Sequence, residues 1–194
     1  MHHVTFYPIG NADTTLIQLK DSTVNILFDF ADERCASDAE DKRCDLPKEL
    51  DKSVSADTFD VVCFTHLDRD HINGSSLYFF LDHSGSYQQG ERKKIKELWV
   101  PASVITESRN DCGPDARAIQ ADARYRLRQG YGIRVFSKPK KLKDWCAKQN
   151  ISFEGISHLI VDAGKLIPSI TLASHGAEFF VHSCRLQISR TGNW

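Results

Sequence analysis

The stretch FTHLDRDHING, Phe64 to Gly74, constrains this chain more than any other. It places His66, Asp68, Asp70 and His71 within six positions, directly after the apolar run VVCF. That run, rich in β-branched and aromatic residues, predicts a short strand buried on both faces. Carboxylates crowded at a strand end repel one another and lose hydration unless a cation joins them. Histidine offers a ring nitrogen and aspartate a hard oxygen, and a divalent metal needs several such donors converging on one point. Alternate residues of an extended chain share a side. An extended segment would therefore group His66, Asp68 and Asp70 and turn His71 elsewhere, towards a second ion. Asn73 and Gly74 supply the turn that must follow. The competing reading is a loop in which Asp68 and Asp70 merely accept backbone hydrogen bonds.

At 194 residues the chain suits one domain, residues 1–194, with a sizeable core. A net charge of -1 names no partner, and 41% hydrophobic with 26% charged residues excludes a disordered chain. No apolar run reaches the ~20 residues of a membrane span. The start, MHHVTFYPIGNADTT, lacks the basic region, apolar stretch and cleavage site of a signal peptide. The six cysteines, Cys35, Cys44, Cys63, Cys112, Cys146 and Cys184, are scattered and form no C-x-x-C pair. They read as free thiols in a reducing compartment, so a cytoplasmic location is expected. A Cys35–Cys44 bridge stays open, since spacing alone does not decide it.

The chain opens as strands: HVTFYPI, then TTLIQL and VNILFDF around the polar turn KDST, an antiparallel meander. Residues 33–60 carry nine acids and five basic residues and read as an exposed loop with one short helix. SSLYFFLDH reads as a helix capped by Ser75 or Ser76, and ELWVPASV as a strand closed by Pro101. DARAIQADARYRLRQ, 115–129, is an amphipathic helix with Ala116, Ile119, Ala123 and Leu127 on one face and Arg117, Arg124 and Arg128 on the other. IRVF, HLIVDA, SITLAS and EFFVHS read as strands, and KKLKDWCAKQN as a polar helix. Strands come first and then mix with helices, so the class is α/β (or α+β) with a layered sheet. Residues 91–148 hold fifteen Lys/Arg against seven Asp/Glu. This excess is either a solvated helical face or a cationic surface for an anionic substrate or nucleic acid.

THLDRDHING resembles the T-H-x-H-x-D-H-x-G-G signature of the metallo-β-lactamase superfamily. VTFYPIGNADTTLIQL and NILFDFAD are similar to that superfamily's opening strands, particularly in the branch of the competence DNA-uptake proteins. The likeness covers about the first eighty residues. It implies an αββα sandwich with metals at one edge between two sheets, and hydrolysis of an ester or phosphoester by water activated on the metal. It further implies that His66 and Asp68 bind a first metal, that Asp70 and His71 bind a second, and that Asp70 orients the attacking water. Asp29 and Asp13 would support the metal loop from behind. One or two zinc ions are implied.

Two departures shape the expectation. Asp68 stands where the family has a second histidine, a harder and more anionic donor that shifts preference towards manganese or iron(II). The family's late Gly-Asp and terminal histidine motifs do not appear. SHG at 174–176 and VHS at 181–183 are the late histidine candidates, His158 is a weaker one, and His2, His3 and His83 belong to no motif. The chain is thus expected to hold the N-terminal part of the fold, with an apolar sheet face left to self-associate. The alternative function is a truncated, non-catalytic metal-binding remnant or interaction module. No G-x-S-x-G, Walker loop or G-x-G-x-x-G is present, which leaves serine-nucleophile and nucleotide-binding classes without a motif.

Overall fold

The computed structural model describes residues 1–20, 23–108, 112–136 and 139–182. Among them, seven strands form one sheet in simple chain order. The strands are β1 (His3–Phe6), β2 (Thr15–Leu19), β3 (Val24–Phe28), β4 (Thr58–Cys63), β5 (Lys94–Pro101), β6 (Ile133–Phe136) and β7 (Ile160–Val161). β1, β2 and β3 are antiparallel neighbours, as the meander reading requires. From β3 onward every pairing is parallel.

The parallel half needs crossovers, and helices supply them. α1 (Leu46–Ser53) links β3 to β4, with Pro47 in its first turn and the Asp45 side chain accepting from the Lys48 N–H. α2 (Arg69–Ile72) and α3 (Ser75–Tyr78) follow β4. α4 (Ala102–Thr106) and α5 (Pro114–Gln129) follow β5, and α6 (Pro139–Lys148) and α7 (Phe153–Ile156) follow β6. α5 runs from Pro114 and stops at Gly130, whose φ of 78° no other residue type adopts as cheaply.

The strands alternate between two apolar layers. Leu27, Phe59, Val62, Leu98, Val100 and Val135 pack with Leu46 and Leu50 of α1 and Ile119, Ala123 and Leu127 of α5. Ile26, Val61, Cys63, Trp99 and Val161 point the other way and pack with Ile167 and Ile170, joined by Phe179 and Val181. β4 thus faces a dry layer on both sides, as its sequence predicted. A second sheet is not among the described residues. Val4, Phe6, Leu166 and Phe180 remain exposed.

Several elements differ from the sequence reading. SSLYFFLDH makes only one helical turn, and its cap is Gly74; Ser75 and Ser76 are buried within it. Phe79 then leaves the helix to bridge Lys93, because its ring is needed among Phe30, Phe59 and Phe64. SITLAS runs into the helical turn α8 (Leu172–His175), which starts where the Thr171 hydroxyl accepts from the Ser174 N–H. The described part of EFFVHS contributes a single bridge, Phe180 to Leu166, rather than a strand. Cys35, Cys44, Cys63, Cys112 and Cys146 are free, so Cys35 and Cys44 are not bridged; Cys184 lies outside the described residues.

The basic middle segment is largely committed to the fold. Arg92 donates to the carbonyls of Ser76, Leu77 and Phe79, and Arg124 to those of Ile105 and Glu107. Arg126, on neither face singled out above, is buried; it reaches Asp122 at 2.8 Å and Asp82 at 2.9 Å. No helix among the described residues is long and apolar enough to cross a membrane.

Candidate metal centre

Topology brings the candidate residues to one edge of the sheet. β3 and β4 are parallel, so their C-terminal ends lie together; Phe28 pairs with Cys63. β2 is antiparallel to β3, so its beginning, Thr15, sits beside the same end. Asp13 before β2, Asp29 after β3 and the His66 loop after β4 therefore meet. Ligand sites of α/β sheets form outside the C-terminal ends of parallel strands, and these residues lie at the C-terminal ends of the parallel neighbours β3 and β4.

Asp29 organises the loop. It takes the left-handed conformation, with φ 54°, and its N–H donates to the Cys63 carbonyl at 2.8 Å. Its carboxylate is buried and accepts from the Thr65 N–H at 2.8 Å and the Thr65 hydroxyl at 2.6 Å. His71 Nδ1 lies 2.9 Å from Asp29 Oδ2. A carboxylate at Nδ1 fixes the proton there and leaves the Nε2 lone pair free, the state a metal requires. That Nε2 lies 3.5 Å from Asp70 Oδ2 and 4.0 Å from Asp13 Oδ2. The His66 and His71 rings lie 3.6 Å apart between centroids.

His66, Asp70 and His71 each present a ligand atom, and these atoms lie within 4.8 Å of one another. The extended-chain grouping is corrected here. The chain winds into α2 at Arg69, so Asp70 and His71 project with His66. Asp68 becomes the residue preceding the helix, largely exposed, with Oδ2 3.6 Å from His66 Nε2, and stands outside the three. Asp68 caps no helix N–H with its side chain. The donor set of two imidazoles and a carboxylate fits a divalent ion of the zinc, manganese or iron(II) type.

The turn after α2 is built as the sequence indicated. Gly74 has φ 78°, and the Asn73 amide donates to the Asp32 carbonyl at 2.5 Å. The Phe30 N–H donates to the His71 carbonyl and the Asp13 N–H to the Asp70 carbonyl, so backbone bonds clamp α2 from both sides. Asp115 of α5 accepts from the N–H groups of Gly74 and Ser76 at 3.1 and 3.0 Å. No sequence pattern pointed to Asp115, which acts across 39 or more residues. Thr65 was signalled, being the threonine of the motif, yet its bridging of Asp29 to the two histidines appears only in three dimensions.

No protein-family model matches this chain, and no curated protein matches it.

The late histidines have other partners. His175 Nδ1 accepts from the Thr171 N–H, and His158 lies against the Gly130 carbonyl. His2 accepts from Lys20, and His83 packs on Tyr87 beside Asp122. His182 lines a cavity of about 370 Å³ together with Thr65, Cys63 and Trp99. Another cavity, of about 320 Å³, is lined by Asp70, Arg69, Glu33 and Arg43, none but Asp70 singled out from sequence.

Proposed function

We propose that this chain is a metal-dependent hydrolase of the metallo-β-lactamase type, its described sheet being the first of an αββα sandwich. The observation that carries the reading is the convergence of His66, Asp70 and His71 within 4.8 Å at the sheet edge, backed by Asp29. A divalent ion held there lowers the pKa of water to about 7 and supplies the electrophile for an ester or phosphoester. The remaining work belongs to the chain. Asp29 and Thr65 hold the His71 tautomer and orient both rings. Asp70 opens on the adjoining cavity, where its carboxylate can orient a water and take its proton. Asp13, 4.0 Å from His71, adds negative charge that favours a cation.

Elemental analysis of protein purified without added metal tests this, with Asp70→Asn and His66→Ala alongside. One or two bound ions in the parent, lost in both variants, together with cleavage of bis(p-nitrophenyl) phosphate, is the expected result. A parent protein that takes up neither zinc, manganese nor iron(II) would sink the proposal. A second reading, a non-catalytic metal-binding module, draws on Asp68 standing apart, which leaves three convergent donors among the described residues. It predicts a bound ion without turnover.

A further inference from the structure

Acids and bases are segregated on α5. Asp115 accepts from the N–H groups of Gly74 and Ser76, and Asp122 is buried against Arg126. Both acids of the helix are thus engaged within the fold. Arg117, Arg124 and Arg128 lie along the opposite side from Ala116, Ile119, Ala123 and Leu127, which pack into the core. Their side-chain bonds go to neutral groups. Arg117 donates to the Cys112 carbonyl, Arg124 to the carbonyls of Ile105 and Glu107, and Arg128 to Gln149 Oε1 at 3.1 Å. The neighbouring helix α6 extends this face. The Arg124 and Arg128 guanidiniums stand 5.6 and 5.7 Å from the ring centroid of its Trp145. Lys141 and Lys148 are exposed and share the Trp145 side of α6, one turn before it and one turn after it. Against them α6 sets a single acid, Asp144.

Five cations therefore gather on two adjoining helices, and among the described residues none of them is ion-paired with a carboxylate. Burial first, and then the charge of Arg128, push the Arg124 guanidinium below its ordinary value. Like charges held side by side favour an anion between them. Trp145 already carries two guanidiniums on its ring, which leaves no open platform for an unpaired base. Among the described residues, no large exposed hydrophobic side chain lies in α5 or α6, so this face has nothing to insert into a membrane. What it offers is cations alone. From Arg117 to Arg128 they extend about 16 Å along α5, enough to reach phosphates on both sides of a B-form major groove about 12 Å wide. The whole chain has a net charge of -1, so attraction for a polyanion is local to this face.

We infer that the outer face of α5 and α6 binds the phosphate backbone of double-helical DNA without reading its sequence. Arg117, Arg124, Arg128, Lys141 and Lys148 supply the contacts. The inference goes beyond the hydrolase reading and does not rest on it, because no metal takes part in this binding.

Fluorescence anisotropy with a labelled DNA duplex of about 20 base pairs and the full chain, EDTA present, tests it between about 50 and 200 mM salt. With about four phosphates contacted, log affinity should fall against log salt with a slope of about -3.6, roughly 150-fold over that range. Arg124→Gln with Arg128→Gln, and separately Lys141→Gln with Lys148→Gln, should each weaken binding about tenfold or more at low salt and reduce the slope by about 2. A duplex of unrelated sequence should bind equally well. Lys42→Gln with Lys165→Gln removes the same charge from exposed positions elsewhere and should leave affinity within about twofold. Absence of binding at low salt, equal losses in the α6 and control variants, or tighter binding to phosphatidylserine vesicles or polyglutamate than to the duplex at equal charge would each overturn the inference. Lys141 and Lys148 are exposed, so their variant reads binding even where the arginine pair disturbs packing on Trp145. Metal uptake is read separately. A chain that binds the duplex but takes up no metal keeps this surface and loses the hydrolase reading.

Discussion

Asp29 Oδ2 and His71 Nδ1 lie 2.9 Å apart across 42 positions of sequence, and this pair connects the sheet to the loop of His66 to His71. Asp29 ends its strand in a left-handed conformation that turns its carboxylate back under the loop. There it meets Thr65 and His71 together. A flat strand end could not present both oxygens in this way.

Replacing Asp29 with asparagine tests the pair. Asparagine tolerates the left-handed backbone, so the fold should persist. Its amide no longer holds the His71 proton as a carboxylate does. Metal affinity should fall roughly 10- to 100-fold, measured by competition with a chromogenic chelator. Unchanged affinity would show that the ring needs no support.

Asp68→His addresses metal choice. Asp68 is exposed and only 3.6 Å from His66, so an imidazole can be accommodated there. A third nitrogen donor should raise zinc affinity relative to manganese by about tenfold or more. Competition between the two metals gives the ratio directly, and a ratio equal to that of the parent would refute the prediction.

The Asp122–Arg126 pair should be needed for stability. Burial pushes the Asp122 carboxyl up, but bonds to His83 and Arg126 outweigh it and leave it below the usual range. A depressed folded value contributes stability that is full above the ordinary carboxylate range and lost as pH falls through the folded value. Asp122→Asn should therefore cost about 3 kcal/mol at pH 7. In urea titrations the gap to the parent should narrow below about pH 4, as the parent's own carboxylate becomes protonated. Asp82, which also holds Arg126, is raised by burial and acts in the opposite sense. A gap that widened on acidification would contradict this account.

Gly74→Ala isolates backbone strain. A Cβ there would meet Asp32 Cβ at 3.5 Å and Phe30 Cε1 at 3.6 Å, ordinary contacts. The cost should come from the 78° φ alone, about 1–2 kcal/mol by chemical denaturation. A cost above ~4 kcal/mol would mean that the clamp between Asp115 and the Gly74 N–H had failed as well.

The sequence by itself determined the opening meander, β4 and α5, and singled out His66, Asp68, Asp70 and His71 as one group of candidate donors, because each is written in local chemistry. Alternation sets strands, a 3.6-residue period ended by Gly130 sets α5, and crowded donors mark out a candidate site. Local rules failed where distant packing decided. Phe79 abandons its helix to join three other aromatic rings, and SITLAS yields a helical turn held by Thr171. Within the site, only the tertiary structure put Asp68 aside, joined Asp29 to His71 and gathered Arg43, Arg69 and Glu33 around one cavity. Those relations span tens of residues, and nothing in local spacing encodes the turn of α2 or the strand order that creates them.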